Sequence, residues 1–129
     1  MINNKLTDKE FEIIKKHTIK GYNYISHRDD LSEASKKIVL QHHETIDGKG
    51  YPKGITGDNI SFYAKITGIC DHYEALCSER TYKKAITPSL AIEYLLEKAG
   101  TYFDLELTRE FIGLVAPYII KKQASLLQM

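Results

Sequence analysis

The chain has 129 residues, 18 Lys and Arg against 17 Asp and Glu, and a formal net charge of +1. A hydrophobic fraction of 43% with 27% charged residues describes an ordinary soluble domain and excludes a wholly disordered or collagen-like chain. The balanced charge gives no general pull toward DNA or an anionic membrane, so an anionic ligand would need a local site. No apolar run is long enough to span a bilayer, and residues 1–5 lack the apolar region of a secretory signal. Cys70 and Cys77 lie two turns apart on one predicted helix, too far for a disulfide. A reducing cytoplasm and a single domain over residues 1–129 are therefore expected.

In chain order, the pattern is helical throughout. The first helix opens at Thr7-Asp8-Lys9-Glu10, a capping box, and carries Phe11, Ile14, His17, Gly21 and Ile25. The second starts near Ser32 and is expected to carry Ile38, Val39, His42, His43 and Ile46. Residues 47–59 hold four of the eight glycines together with Pro52, which predicts a structured loop. The third helix runs from about Ser61 to about Glu79, with an apolar stripe of Phe62, Ile66, Ile69, Tyr73 and Leu76. Opposite lies a row of small residues, Ala64, Gly68, Ala75 and Ser78, around Asp71. That face is expected to be covered, which would oblige Asp71 to find a cation, a metal or hydrogen bonds. The fourth helix starts at Thr87-Pro88 and ends at Gly100. The fifth follows Asp104 and is expected to break or kink at Pro117 before a last segment with Ile119 and Ile120. No stretch alternates convincingly, so the fold class is all-α.

Three of the five histidines, His17, His42 and His43, lie on or beside apolar helical faces. Neighbours on a helix point about 100° apart, so His42 and His43 can share an ion only in the angle between them, or hold two adjacent ions. Together with His17 and Asp71 they form a set of three imidazoles and a carboxylate suited to iron, manganese or zinc. His27 and His72 are expected at the surface or packed locally. The loop Asp47-Gly48-Lys49-Gly50-Tyr51-Pro52 directly follows the histidine pair. It reads either as a structural turn with a packed Tyr51 or as a rigid lip that could stack a base or meet a partner. Arg80 and Lys83 lie three apart at the end of the third helix and suit phosphate. Taken alone, they equally describe a basic helix end that favours the macrodipole.

The string Ile38-Val39-Leu40-Gln41-His42-His43-Glu44, followed by Asp47-Gly48-Lys49-Gly50-Tyr51-Pro52, closely resembles the HD-GYP family of bacterial signalling phosphodiesterases. The likeness continues through residues 54–57, 64–66, 70–76 and 80–85. It includes His17-Thr18-Ile19-Lys20-Gly21 upstream and Gly100-Thr101-Tyr102-Phe103-Asp104 downstream. The resemblance implies an HD-domain-like helical bundle, lacking the family's N-terminal part, that acts on cyclic di-GMP. It implies a divalent metal, iron or manganese first, with zinc or nickel also compatible. His17, His42, His43 and Asp71 match the family's metal ligands, Arg80 and Lys83 its phosphate contacts, and Tyr51 a position beside the pocket. The motif loop of Asp47, Gly48, Gly50, Tyr51 and Pro52 is associated in the family with contacts to diguanylate cyclase domains.

The sequence departs from the family at its defining feature, because it contains no His-Asp dipeptide. The aspartate of that pair normally bridges metals. Two expectations follow: an impaired phosphodiesterase, or a non-catalytic module that binds metal, nucleotide or a partner through the loop. A shortened bundle should also expose the small-residue face of the third helix, and a homodimer is expected to cover it.

Overall fold

The computed structural model describes residues 7–79 and 83–127, and among these every regular element is helical. Five α-helices follow one another: α1 Asp8–Ile25, α2 Glu33–Gln41, α3 Phe62–Cys77, α4 Pro88–Lys98 and α5 Leu105–Leu127. A single 3-10 turn, Gly57–Asn59, precedes α3. No helix among the described residues is long and apolar enough to cross a membrane.

The helix starts follow from local chemistry. Thr7 and Glu10 form the reciprocal capping box, each side chain bonding the other's backbone N–H at 3.1 Å. The hydroxyls of Ser32, Ser61 and Thr87 accept the orphan N–H groups of Ser35, Ala64 and Leu90. Asp104 caps α5 through Oδ1, which accepts from Leu107 N at 3.0 Å.

Helix α3 is the centre of the bundle and packs against α2, α4 and α5. Ile69, Leu95 and Phe103 form the core, with Tyr73, Tyr94, Leu107, Phe111 and Ile112 around it. Tyr73 meets Phe111 edge-on at 5.3 Å between ring centroids. Helix α1 packs on α2 alone among the helices. Their connection is held by Lys36, whose buried ammonium donates to Ser26 O at 2.9 Å and Glu33 Oε1 at 3.2 Å.

Three expectations change. Helix α2 stops at Gln41, so His42 is its C-cap and His43 and Ile46 lie in the following turn. Helix α5 runs unbroken through Pro117, which sits on its exposed side where a missing N–H leaves no buried carbonyl unmatched. The small face of α3 is covered only in its first half, and by the chain itself. Ala64 and Gly68 are buried, and a Cβ on Gly68 would lie 3.1 Å from His42 O. Asp71, one turn further, is exposed, while Ala75 and Ser78 are half-buried. The first half of that face is therefore filled by the chain itself, and the second half, around Asp71, is open.

Candidate metal centre

The turn after α2 gathers the chemistry. His42 Nδ1 lies 2.7 Å from Ile38 O. A carbonyl can only accept, so Nδ1 carries the proton and Nε2 keeps its lone pair for a ligand. The His43 ring lies 3.9 Å from that of His42 at 42°. On its other side it stacks on Tyr51, with centroids 4.7 Å apart and planes 17° from parallel. Burial, reinforced by His42 and His72 and opposed by Asp71, lowers the His43 pKa to about 4. Its imidazole is therefore neutral at neutral pH and need shed no proton to bind a cation. Asp71 projects from α3 at the mouth of the site. One donor atom each from His42, His43 and Asp71 lie within 4.8 Å of one another.

Two imidazoles and one carboxylate fit a divalent transition metal. Three protein ligands leave coordination positions open, as sites that act on a substrate require.

The HD domain family matches residues 2–107 of the sequence. This chain belongs to the HD-domain family. Its motif string and its relatives place it in the HD-GYP group. It is 37% identical over 114 residues to a cyclic di-GMP phosphodiesterase of Pseudomonas aeruginosa, a match over 88% of this chain and 27% of that protein. It is 39% identical over 101 residues to the cyclic di-GMP phosphodiesterase response regulator RpfG of Xanthomonas campestris, covering 78% of this chain and 27% of the relative. The HD-GYP chain thus spans about a quarter of the length of these curated relatives. Its fold is that of a cyclic GMP-AMP specific phosphodiesterase of Vibrio cholerae, with a TM-score of 0.71 at 20% identity, over 90% of this chain and 27% of that one. An HD-GYP-type protein of Bdellovibrio bacteriovorus gives a TM-score of 0.68 at 19% identity, over 87% and 35%.

Not every family position converges. His17 lies on the exposed side of α1 and is outside the His42, His43 and Asp71 group. Arg80 falls outside the described residues. The Lys83 ammonium donates to Ser78 O at 2.8 Å and approaches Leu76 O at 3.5 Å, where it neutralises the C-terminal end of α3. His27 is exposed. His72 packs locally, with Nδ1 2.8 Å from Gly68 O and its ring 4.9 Å from that of Phe103.

The HD-GYP loop is a built object. Glu44, buried beside the histidines, accepts three backbone N–H groups, from Lys53 at 2.8 Å, Gly54 at 2.9 Å and Ile55 at 3.2 Å. Asp47 Oδ1 accepts from the Thr45 hydroxyl at 2.6 Å and Lys49 N at 3.0 Å. These bonds hold its carboxyl below the usual range despite the opposing effect of burial. Tyr51 N donates back to His43 O at 3.2 Å, and the Tyr51 ring meets Phe11 of α1 edge-on at 5.3 Å. Burial, with Asp71 nearby, raises the Tyr51 phenol and keeps it protonated. Ile46 N donates to Tyr102 O at 3.1 Å, which ties the histidine turn to the α4–α5 connection.

Glu44 and Lys65 are the residues that spacing alone did not single out. The string His-His-Glu contains Glu44, but only the fold shows a carboxylate serving as a three-way clamp. Lys65 is largely buried 3.8 Å from Asp104 Oδ2, and both line a cavity of about 10 Å³ behind His42, room for about one water. Glu44→Gln is expected to cost about 2–3 kcal/mol, because an amide presents a donor to at least one of the three clamped N–H groups. Urea unfolding checks this; a loss below about 0.5 kcal/mol would show that the clamp does not hold the loop.

Proposed function

We propose that His42, His43 and Asp71 hold a divalent metal, iron or manganese by preference, and that the domain binds the phosphodiester of a cyclic dinucleotide, cyclic di-GMP first. We further propose that these 129 residues alone hydrolyse it weakly. The carrying observation is the convergence of two imidazoles and a carboxylate beside a rigid loop. A bound divalent ion supplies Lewis acidity, neutralising phosphate charge and making water more acidic.

The chain's own residues prepare the site. The Ile38 carbonyl fixes the His42 tautomer. Tyr51 covers one face of His43 and excludes water from it. Glu44 holds the loop so that Tyr51 stays there. Arg80 and Lys83 are the proposed phosphate contacts; Lys83 has three donors, and two are directed at helix carbonyls, leaving one for an anion. Weak turnover follows from the ligand count: among the described residues three donors converge, His17 lies outside their group, and the sequence has no His-Asp pair to bridge two ions.

A second reading has its own support. The clamped loop presents Asp47, Lys49 and Lys53 to solvent as a fixed surface. A module that meets a diguanylate cyclase domain through this loop would need no turnover. A cytoplasmic setting and self-association as a homodimer complete the proposal.

The test is anaerobic reconstitution of the 129-residue chain with Fe²⁺ or Mn²⁺, followed by calorimetry and chromatography with cyclic di-GMP. Metal-dependent binding with little product is expected, and both should vanish in the His42→Ala, His43→Ala double variant. Fast turnover would overturn the impairment. Failure to bind metal would sink the whole reading.

A further inference from the structure

Helix α5 contributes a large apolar share of what is open: Leu114 is 71% exposed, Tyr118 77% and Ile120 65%. A near-neutral chain offers little repulsion to a second copy of itself.

The exposed side of α5 has an order that suits one occupant. Glu110, Leu114, Pro117 and Lys121 recur at spacings of four, three and four, which places them on a single seam. All four are exposed. The seam reads as its own complement when reversed: acid, apolar, apolar, base. Beside it lie Gly113, where an added Cβ would find nothing within 4 Å, and Tyr118.

We infer that two copies of this chain associate through α5, antiparallel about a two-fold axis between Val115 and Ala116. In that register Glu110 meets the partner's Lys121, Leu114 packs on the partner's Pro117, and Gly113 makes room for the partner's Tyr118. The contact is isologous, so each pairing occurs twice. The inference rests on the homodimer reading above and adds its face and register. It adds a face distinct from the small-residue side of α3, whose first half is already filled.

Sedimentation equilibrium of the 129-residue chain tests both parts. A mass of twice 14.8 kDa is expected. Leu114→Asp should raise the dissociation constant at least about thirtyfold, with helical content unchanged because the side chain is exposed. Glu110→Lys and Lys121→Glu should each raise it about fivefold or more, since each places two like-charged pairs across the axis. The double variant should return to within about twofold of the parent, a rescue that only this pairing produces. A dimer indifferent to all of these variants would overturn the face and leave self-association standing. A monomer at about 1 mM, an affinity of only ~4 kcal/mol, would overturn both.

Discussion

Replacing His43 by alanine is expected to lower the affinity of the chain for Mn²⁺ or Fe²⁺ by at least about 100-fold, more than the loss of an outer-shell partner. His43 is one of only three donors that converge in the described structure. Its imidazole is already neutral, with a pKa lowered to about 4, so its removal deletes a donor that binds without proton release. The Tyr51 ring also loses the surface on which it stacks. His42→Ala should act to a similar degree. His17→Ala is the informative contrast. The family resemblance places His17 among the ligands, whereas here it is exposed and outside the group of His42, His43 and Asp71. An effect below about threefold is expected, within the ~0.7 kcal/mol of a surface change. Metal titration by calorimetry, with circular dichroism to confirm the fold, reads all three variants. Equal losses from His17→Ala and His43→Ala would show that α1 closes over the ion and that the three-donor description is wrong.

Gly50→Ala is the second large effect, and it falls on stability. A Cβ at residue 50 would lie 2.5 Å from His43 O and from Thr45 N, and 2.6 Å from Glu44 Cα. All three atoms are backbone, so no side chain can rotate away. Either the loop lifts off the histidine turn or the turn itself moves, and both break the Glu44 clamp. A cost of at least about 4 kcal/mol is expected, a large part of the 5–15 kcal/mol that holds an ordinary domain together. For a chain of this size that corresponds to a fall in melting temperature of about 12–20 °C. Thermal melting followed at 222 nm measures it. A variant that melts within a few degrees of the parent would mean that the loop is not packed against the turn.

The helix starts were legible because their signals are local. A hydroxyl three residues before an orphan N–H is visible in sequence, and Thr7, Ser32, Ser61 and Thr87 all cap as read. The end of α2 was not legible. The apolar rhythm continues through Ile46, and what stops the helix at Gln41 is tertiary: Gly50 seats on the carbonyl of His43, and Glu44 turns to meet residues 53–55. Pro117 misled for the opposite reason, since a strong local breaker is tolerated where the lost bond faces solvent. At the site, residue type and spacing group His17, His42, His43 and Asp71, and the structure brings the last three together. His17 stays outside that group, because a helical stripe names a face without naming its neighbour, and among the described residues α1 packs on α2. Lys83 shows the same ambiguity: its charge suits phosphate, and the fold sets it on the carbonyls of Ser78 and Leu76.

His42, His43 and Glu44 are consecutive, yet the first two converge with Asp71 at the candidate cation site and the third clamps the loop. Gly50, Tyr51 and their neighbours are likewise held by backbone contacts that owe nothing to turnover. A descendant of an ancestral hydrolase could lose its chemistry and still be bound to this string by the need to fold. Divergence would then erode the signature last where it serves as scaffold, so that its persistence records descent more faithfully than it records catalysis.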